Sequence, residues 1–498
     1  MTESRFLEVL DWAELLKRLA AEAQSAAGRA LCLDLALAAE TGEAARRMAA
    51  VAELAGLLRT GDPLPSLAAP EIEAALAAAE KGIVLGADEL RPIAVLTDIA
   101  EGARRAFVAA PGAGAMGTAT PEIATLAAKL DPPRGLARTI GMTFDASGEI
   151  SDAASPELAR LREERKGLAE NARGAIEKLM RSEEYVSVLQ DQFFTVRAER
   201  FVLPLKASAK SLGLGIVHDT SRTGETVFIE PTALVSANNR LKVVELDIRR
   251  ESRRILEALT ADVAVVAPAL RKSAAALAAL DALAAAARLG IAYGGTAISL
   301  VEAPIVQLKQ ARHPLLALAH TESGAKGAVV ANDVALGGDA ARVLIVSGPN
   351  AGGKTVLMKT VGLAALMARA GLLVAAAPGS RIGFFDAVRA DIGDRQSVLG
   401  DLSTFSGHLA NVAEILNAPA AGFILSLPDR GHGVVGRQAI ARVTGFAAFC
   451  SRDGKARPDR ADCGRVDRLR GKTATAGRGS AAAGHGRATG QTHRHGLG

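Results

Sequence analysis

The sequence predicts an α-rich multidomain protein with one α/β P-loop domain, a helical core carrying a coiled-coil-like lever and clamp, and a small β patch. Three observations predict it. A strand, a glycine-rich turn and a helix follow one another in residues 343–371, VLIVSGPNAGGKTVLMKTVGLAALMARAG. Alanine-rich segments with interspersed Leu, Arg and Glu fill much of the remainder, and these are strong helix formers. Between residues 194 and 231 the apolar period changes from helical to strand-like.

The first observation carries chemistry. Val343, Leu344, Ile345 and Val346 form an apolar run without polar alternation, as expected of a strand buried on both faces. Gly348, Pro349, Asn350, Ala351, Gly352, Gly353, Lys354 and Thr355 spell GPNAGGKT and meet every fixed position of the phosphate-loop pattern GxxxxGK[ST]. The glycines let backbone N–H groups turn inward onto phosphate oxygens with no Cβ in the way. The helix that follows aims its positive N-terminal end at the same anion. In this pattern Lys354 reaches the β and γ phosphates and the Thr355 hydroxyl is the Mg2+ ligand. The preceding strand and following helix separate the motif from an accidental glycine-rich loop. Gly371 is the expected helix stop.

A chain of 498 residues has room for about three domains. The reading divides it into an N-terminal helical domain (1–125), a core with β patch and long helical lever (126–295), an incomplete P-loop domain (296–420) and a basic Arg/Gly/Ala-rich tail (421–498). The formal net charge is +5, yet residues 451–498 alone hold 11 Lys or Arg against 4 Asp or Glu. The basic balance, which would otherwise point to nucleic acid, is therefore a property of the tail. Cys32, Cys450 and Cys463 show no metal spacing, which fits a reduced, cytoplasmic protein. The N-terminus carries acids early, so no signal peptide is expected. Arg369 interrupts the longest apolar run, 361–377, so no membrane span is expected either.

Along the chain, Phe6, Leu7, Leu10, Leu15 and Leu16 recur at helical spacing, with Trp12 read as a core residue. Pro63, Pro65 and Pro70 mark a break, and 110–125 reads as a small-residue linker. Ser155-Pro156 starts a helix whose charged face mixes acids and bases, the pattern of a solvated surface. The segment 193–207, FFTVRAERFVLPLKA, reads as a hairpin around Ala198-Glu199, and Thr223-Gly224 is a second turn. His218 and Asp219 are adjacent with no third partner visible, so His218 reads as structural or exposed rather than catalytic. Leu234, Leu241, Ile248 and Ile255 recur every seven residues, with Val244 and Leu259 in support, which predicts a coiled-coil-like arm with breaks near Pro268. Strand character returns at Ile305 to Leu308.

GPNAGGKTVLMKTVGLAALMA, the upstream ARHPLL and the downstream ADIGDRQSVLGDLSTFSGHL resemble the MutS family. RFLEVLDW, ASPELARLR, RFVLPLKA, GIVHDTSRTGETVFIEP and ALVSANNRL resemble its second bacterial branch, the recombination-suppressing endonuclease MutS type, and extend the likeness over about residues 5–418. The resemblance implies a homodimeric, ATP-driven DNA clamp that recognises branched or mismatched DNA and restrains recombination, with ATP and Mg2+ as cofactors. It places Gly348 to Thr355 on the ATP phosphates and Mg2+, and Ser403, Thr404 and Phe405 on nucleotide across the dimer interface. It has Arg312, His313 and Pro314 open the P-loop ATPase domain and makes residues 232–290 the lever.

One departure bears on catalysis. Such an ATPase needs an apolar strand ending in Asp-Glu to hold Mg2+ and orient water. Here Phe423 to Leu427 is followed by Pro428, Asp429 and Arg430. Past residue 430 helical or strand period is almost lost, and His432, His485, His493 and His495 fit no ligand pattern. The expectation is a truncated member whose frame shifts near residue 425, defective in hydrolysis and lacking the C-terminal Smr nuclease domain, with its catalytic residues unassigned. Two alternatives stay open: a non-catalytic DNA-binding or dimerisation module, and a nonfunctional product of a frameshifted gene.

Overall fold

The computed structural model describes residues 7–108, 120–324, 328–339, 343–346, 353–390, 423–427 and 446–450. Helices start and stop where cap chemistry allows. The Ser25 hydroxyl accepts from Gly28 N–H and opens Ala26–Leu33. Ser155, with Pro156 at the first helical position, accepts from the Glu157 and Leu158 N–H groups and opens Pro156–Met180, as the sequence predicts. Gly61 and Gly371, left-handed at φ 84° and 79°, close Thr41–Thr60 and Lys354–Ala370. Pro63, Pro65 and Pro70 fall between Thr41–Thr60 and Glu73–Glu80. The linker read over 110–125 is shorter than expected at its C-terminal end. A helix, Pro121–Ala127, already begins there, with proline in its favoured first-turn position.

The 58-residue helix Val235–Ala292 is the spine of the molecule. Leu241, Val244, Ile255 and Leu259 of the predicted stripe are buried and Ile248 is half-buried. Toward its N-terminus it packs beside Pro156–Met180. Toward its C-terminus it packs beside Ala26–Leu33 and Glu73–Glu80. The break expected near Pro268 does not occur, because the helix runs through it. Proline removes one N–H from the ladder, and fully buried Ala267 and Leu270 keep that turn in the core. Residues 232–292 are long and apolar enough to cross a membrane, but 61% of the apolar window is buried inside the protein, as in the core helix of a globular domain.

Strands β1 (Thr195–Arg197), β2 (Arg200–Lys206), β3 (Gly215–Thr220) and β4 (Thr226–Pro231) form an antiparallel sheet in the order β1-β2-β4-β3. Ala198 and Glu199, at φ 47° and 62°, make the hairpin turn whose hand matches strand twist. Gly224, at φ 76°, turns β3 into β4. Leu203, Leu205, Val227 and Ile229 of this sheet close on Ile176 and Tyr185 in a small core of their own.

The remaining strands are β5 (Ser299–Val301), β6 (Val306–Ala311), β7 (Asn332–Leu336), β8 (Val343–Ile345), β9 (Arg381–Gly383), β10 (Ala387–Ala390), β11 (Phe423–Leu427) and β12 (Phe446–Cys450). They make two sheets, ordered β5-β9-β6-β7 and β10-β11-β12-β8. β10 and β11 are parallel, and β12 runs antiparallel to both of its neighbours. Strand structure past residue 430 departs from the sequence expectation. The run FAAFC at 446–450 is apolar throughout and pairs on both edges.

One hydrophobic cluster extends from Leu10 to Ala390, joining N-terminal helices, spine and phosphate-loop helix. Gly371 shows how closely these meet: a Cβ there would lie 2.3 Å from the Arg47 Cβ and 3.1 Å from the Ala44 carbonyl oxygen. Gly371→Ala therefore combines left-handed strain with a backbone collision and is expected to destabilise by about 2–4 kcal/mol. Gly56→Ala, in the exposed middle of Thr41–Thr60 with nothing within 4 Å, is expected to stabilise by up to about 1 kcal/mol. Urea denaturation of the two variants checks this opposition.

Candidate functional site

Of the predicted phosphate loop, Gly348, Pro349, Asn350, Ala351 and Gly352 lie outside the described residues, as do Ser403, Thr404 and Phe405. Gly353, Lys354 and Thr355 are described. Gly353 adopts φ 80° and ψ 12°, a conformation that favours glycine, and precedes the 17-residue helix Lys354–Ala370. Lys354 is buried, while Thr355 at the first turn is exposed. A helix N-terminus of this kind presents N–H groups and a partial positive charge to an anion. β8 leads into the loop on the other side, with Leu344 and Val346 half-buried against the main cluster.

Two distant segments converge on the first turns of this helix. Lys359 Nζ donates to both carboxylate oxygens of Asp11, at 2.9 and 2.8 Å. His313, of the ARHP segment, is 5% exposed, and its Nε2 lies 3.8 Å from Asp11 Oδ2. His313 precedes the helix Pro314–Ser323, with Pro314 in its first turn, and Arg312 N–H donates to the Ala375 carbonyl. The Nδ1 of His313 is buried with no hydrogen-bond partner. Burial pushes the His313 pKa below its ordinary 6.5, Asp11 pulls the other way, and Lys359 adds to the lowering. Sequence reasoning attached no role to Asp11 or Lys359, since no local pattern links positions 348 residues apart.

The β patch holds a second polar cluster. Glu230, fully buried, accepts from Arg200 Nη1 at 2.7 Å and Asn238 Nδ2 at 2.8 Å. His218 Nε2 sits 2.5 Å from its other oxygen. Burial alone would raise the Glu230 pKa, but the bonds from Asn238, His218 and Arg200 outweigh it and hold the carboxyl below its ordinary range. Asn238 also clamps the backbone of Phe201, accepting from its N–H and donating to its carbonyl. The sequence reading of His218 as structural agrees with this, but its missing partner is Glu230, which that reading overlooked.

Among the cations of the β patch, Arg200 is engaged by Glu230 and Asn239. Arg197 lies over the Phe228 ring at 4.8 Å and 4.0 Å from Asp219. Lys206 and Lys210 are exposed, as is Arg222 in the β3–β4 turn. A cleft of about 1450 Å³ opens nearby between Pro156–Met180, the hairpin and the spine. Arg162, Arg165, Lys166, Glu163, Glu170 and Glu245 line it with both signs of charge. Among the described residues no group of three or more His, Cys, Asp or Glu could hold a metal ion.

The profile described as MutS domain V matches residues 344–449. Three proteins named endonuclease MutS2 are similar over longer stretches. That of Anaeromyxobacter sp. is 39% identical over 437 residues, 84% of this chain and 52% of its own length. That of Bacillus velezensis is 34% identical over 439 residues, 88% of this chain and 54% of its own. That of Carboxydothermus hydrogenoformans is 40% identical over 306 residues, 61% of this chain and 38% of its own. The chain thus spans about half the length, or less, of these curated relatives. The domain V match also runs past residue 418, where the resemblance read from the sequence ended, and takes in β11 and most of β12.

The neutral His313 has a pH consequence. Its folded-state pKa lies below 6.5, so its contribution to stability is fully present above that value and is lost as pH falls through it toward the folded-state value. The thermal midpoint of the wild type is expected to drop across this range more than that of His313→Gln, measured in parallel by circular dichroism.

Proposed function

The chain belongs to the MutS2-type family, and from that premise we propose that it is an ATP-binding, DNA-engaging protein of MutS type that works as a homodimer in the cytoplasm. On this reading residues 296–420 form its P-loop ATPase domain, 126–295 the core and lever, and 1–125 an N-terminal helical domain. The observation that carries the nucleotide reading is GPNAGGKT leading through left-handed Gly353 into a helix N-terminus. Gly348 to Lys354 would cradle the phosphates, and Thr355, exposed at the first turn, would ligate Mg2+. Mg2+ would neutralise charge on the phosphates. Ser403, Thr404 and Phe405 would meet nucleotide across the dimer.

Turnover is a separate matter. β11 is followed by Pro428, Asp429 and Arg430, so the acidic pair that orients water in such ATPases is not at the end of this strand. We therefore expect MgADP and MgATP to bind and hydrolysis to stay at background. Titration calorimetry with Lys354→Ala tests the first part, because removal of the lysine should abolish binding. Equal affinity in both proteins would refute the loop assignment. ATPase activity that disappears in Lys354→Ala would refute the second part.

DNA is the proposed partner, branched or mismatched, with restraint of recombination as the biological outcome. The support is electrostatic. The spine's Arg240, Arg249, Arg253 and Arg254 are paired with Glu164, Glu199, Glu257 and Glu251. Lys210, in the short 3-10 helix Ala207–Ser211, and Arg222, in the β3–β4 turn, face solvent with no ion pair among the described residues. Lys210→Glu/Arg222→Glu should weaken four-way-junction binding at least ten-fold and lower the salt slope by about 2. Unchanged binding in gel shifts at two salt concentrations would leave the attraction to the tail and defeat this reading.

A further inference from the structure

Asp11 spends its side chain in an unusual way. It immediately precedes the helix Trp12–Ala21, where an aspartate ordinarily accepts from the first N–H groups of its own helix. Here it makes no such cap, and its backbone is left-handed at φ 59°, a region that L side chains other than Asn and Asp rarely enter. The carboxylate instead takes both bonds from Lys359. Strain together with a forgone cap persists only where the surroundings fix the residue, and such outliers cluster at functional elements.

The surroundings here are the first turns of the phosphate-loop helix. Lys359 stands five residues after Lys354, about 7.5 Å along the axis at 1.5 Å per residue. Leu10, fully buried, closes on the same helix: a Cβ at Gly362 would lie 2.8 Å from its Cδ2. His313, buried beside Asp11, brings in the ARHP segment from a third part of the chain. The N-terminal segment therefore grips the helix on the stretch that carries its phosphate-facing end.

We infer that Asp11 is a positioning residue for nucleotide: by holding Lys359 it ties the N-terminal helix to the helix whose N-terminus carries Lys354 and Thr355, so that the N-terminal helix sets nucleotide affinity and is in turn ordered by nucleotide. The inference rests on the phosphate-loop reading above and adds a regulator to that site. Reciprocity follows from linkage, since two sites joined by one equilibrium affect each other equally.

The test uses the full chain and MgADP. Asp11→Asn removes the charge and keeps the side-chain size. Asp11→Gly removes the carboxylate and relieves the left-handed backbone, which guards the fold. Both variants should bind MgADP about five-fold or more weakly, with Asp11→Gly keeping a thermal midpoint near that of the wild type. Lys359→Met should weaken binding by a similar factor, and Asp11→Asn/Lys359→Met no further than either alone. In the wild type MgADP should slow hydrogen exchange over residues 7–22, and in Asp11→Gly it should not. Wild-type MgADP affinity in Asp11→Gly overturns the inference while leaving the loop reading intact. Failure of both wild type and Lys354→Ala to bind MgADP overturns the loop reading and this inference with it.

Discussion

From Val361 to Ala368 the helix that follows the phosphate loop is apolar on every side, and the rest of the structure answers that constraint. Leu357, Met358, Val361 and the whole run from Leu363 to Ala368 are buried. A helical stretch with no polar face has to be enclosed on all sides. Val388 and Ala390 of β10 lie buried in the same cluster, and the N-terminal helices supply another wall. Arg369 donates to the Ala38 carbonyl, Gly371 rests on Ala44 and Arg47, and the Tyr293 hydroxyl donates to the Leu373 carbonyl. Burying each large apolar side chain stabilises by about 1.5–3 kcal/mol, against about 1–2 kcal/mol for fixing each backbone unit. A helix left bare on one face would hold little margin. The described part of the first 60 residues therefore belongs to the structure that keeps the helix Lys354–Ala370 in place.

Much of this was legible locally and little of it globally. Caps and stops are local chemistry, so Ser155, Pro156 and Gly371 could be read in advance. Trp12, read as core, is 4% exposed. The Ala198-Glu199 and Thr223-Gly224 turns fall where the strand period is interrupted. Partners far apart in sequence were not legible. His218 stands beside Asp219 in the sequence, but the register of β3 shifts between Val217 and Asp219, and that irregularity re-aims the residue between them. His218 consequently meets Glu230 rather than its neighbour. Pro268 misled for the opposite reason: proline breaks an isolated helix, whereas burial of Ala267 and Leu270 holds this one together.

Two acidic residues with left-handed backbones stand at corresponding kinds of junction. Asp11 joins the N-terminal helix to the phosphate-loop helix, and Glu199, at the hairpin tip, accepts from Arg249 and pairs with Lys242 on the spine. Each left-handed residue costs roughly 1–2 kcal/mol. Half-exposed ion pairs contribute about 0–1 kcal/mol. The pairs alone therefore do not offset the strain, and the adjacent packing must fix both residues. In each case the ion pair sets where one element sits on another more than it adds to stability.

The same pairing shapes the protein's outer field. Because Arg240, Arg249, Arg253 and Arg254 are matched by carboxylates within reach, the spine shows solvent a nearly balanced surface despite its many arginines. Charges matched at contact distance cancel beyond roughly one Debye length, about 8 Å at physiological salt. Lys210 and Arg222, the latter in the β3–β4 turn, are among the exposed cations that no ion pair matches among the described residues. Glu230 lies at the far end of β4 from that turn and fastens it to the spine through Asn238. A load applied at the turn is thus carried along one strand to a buried carboxylate and from there into the start of a 58-residue helix. On the DNA-binding reading proposed above, cations at this end of the sheet would meet the polyanion, and Glu230 with Asn238 would tie that strand to the helix beneath.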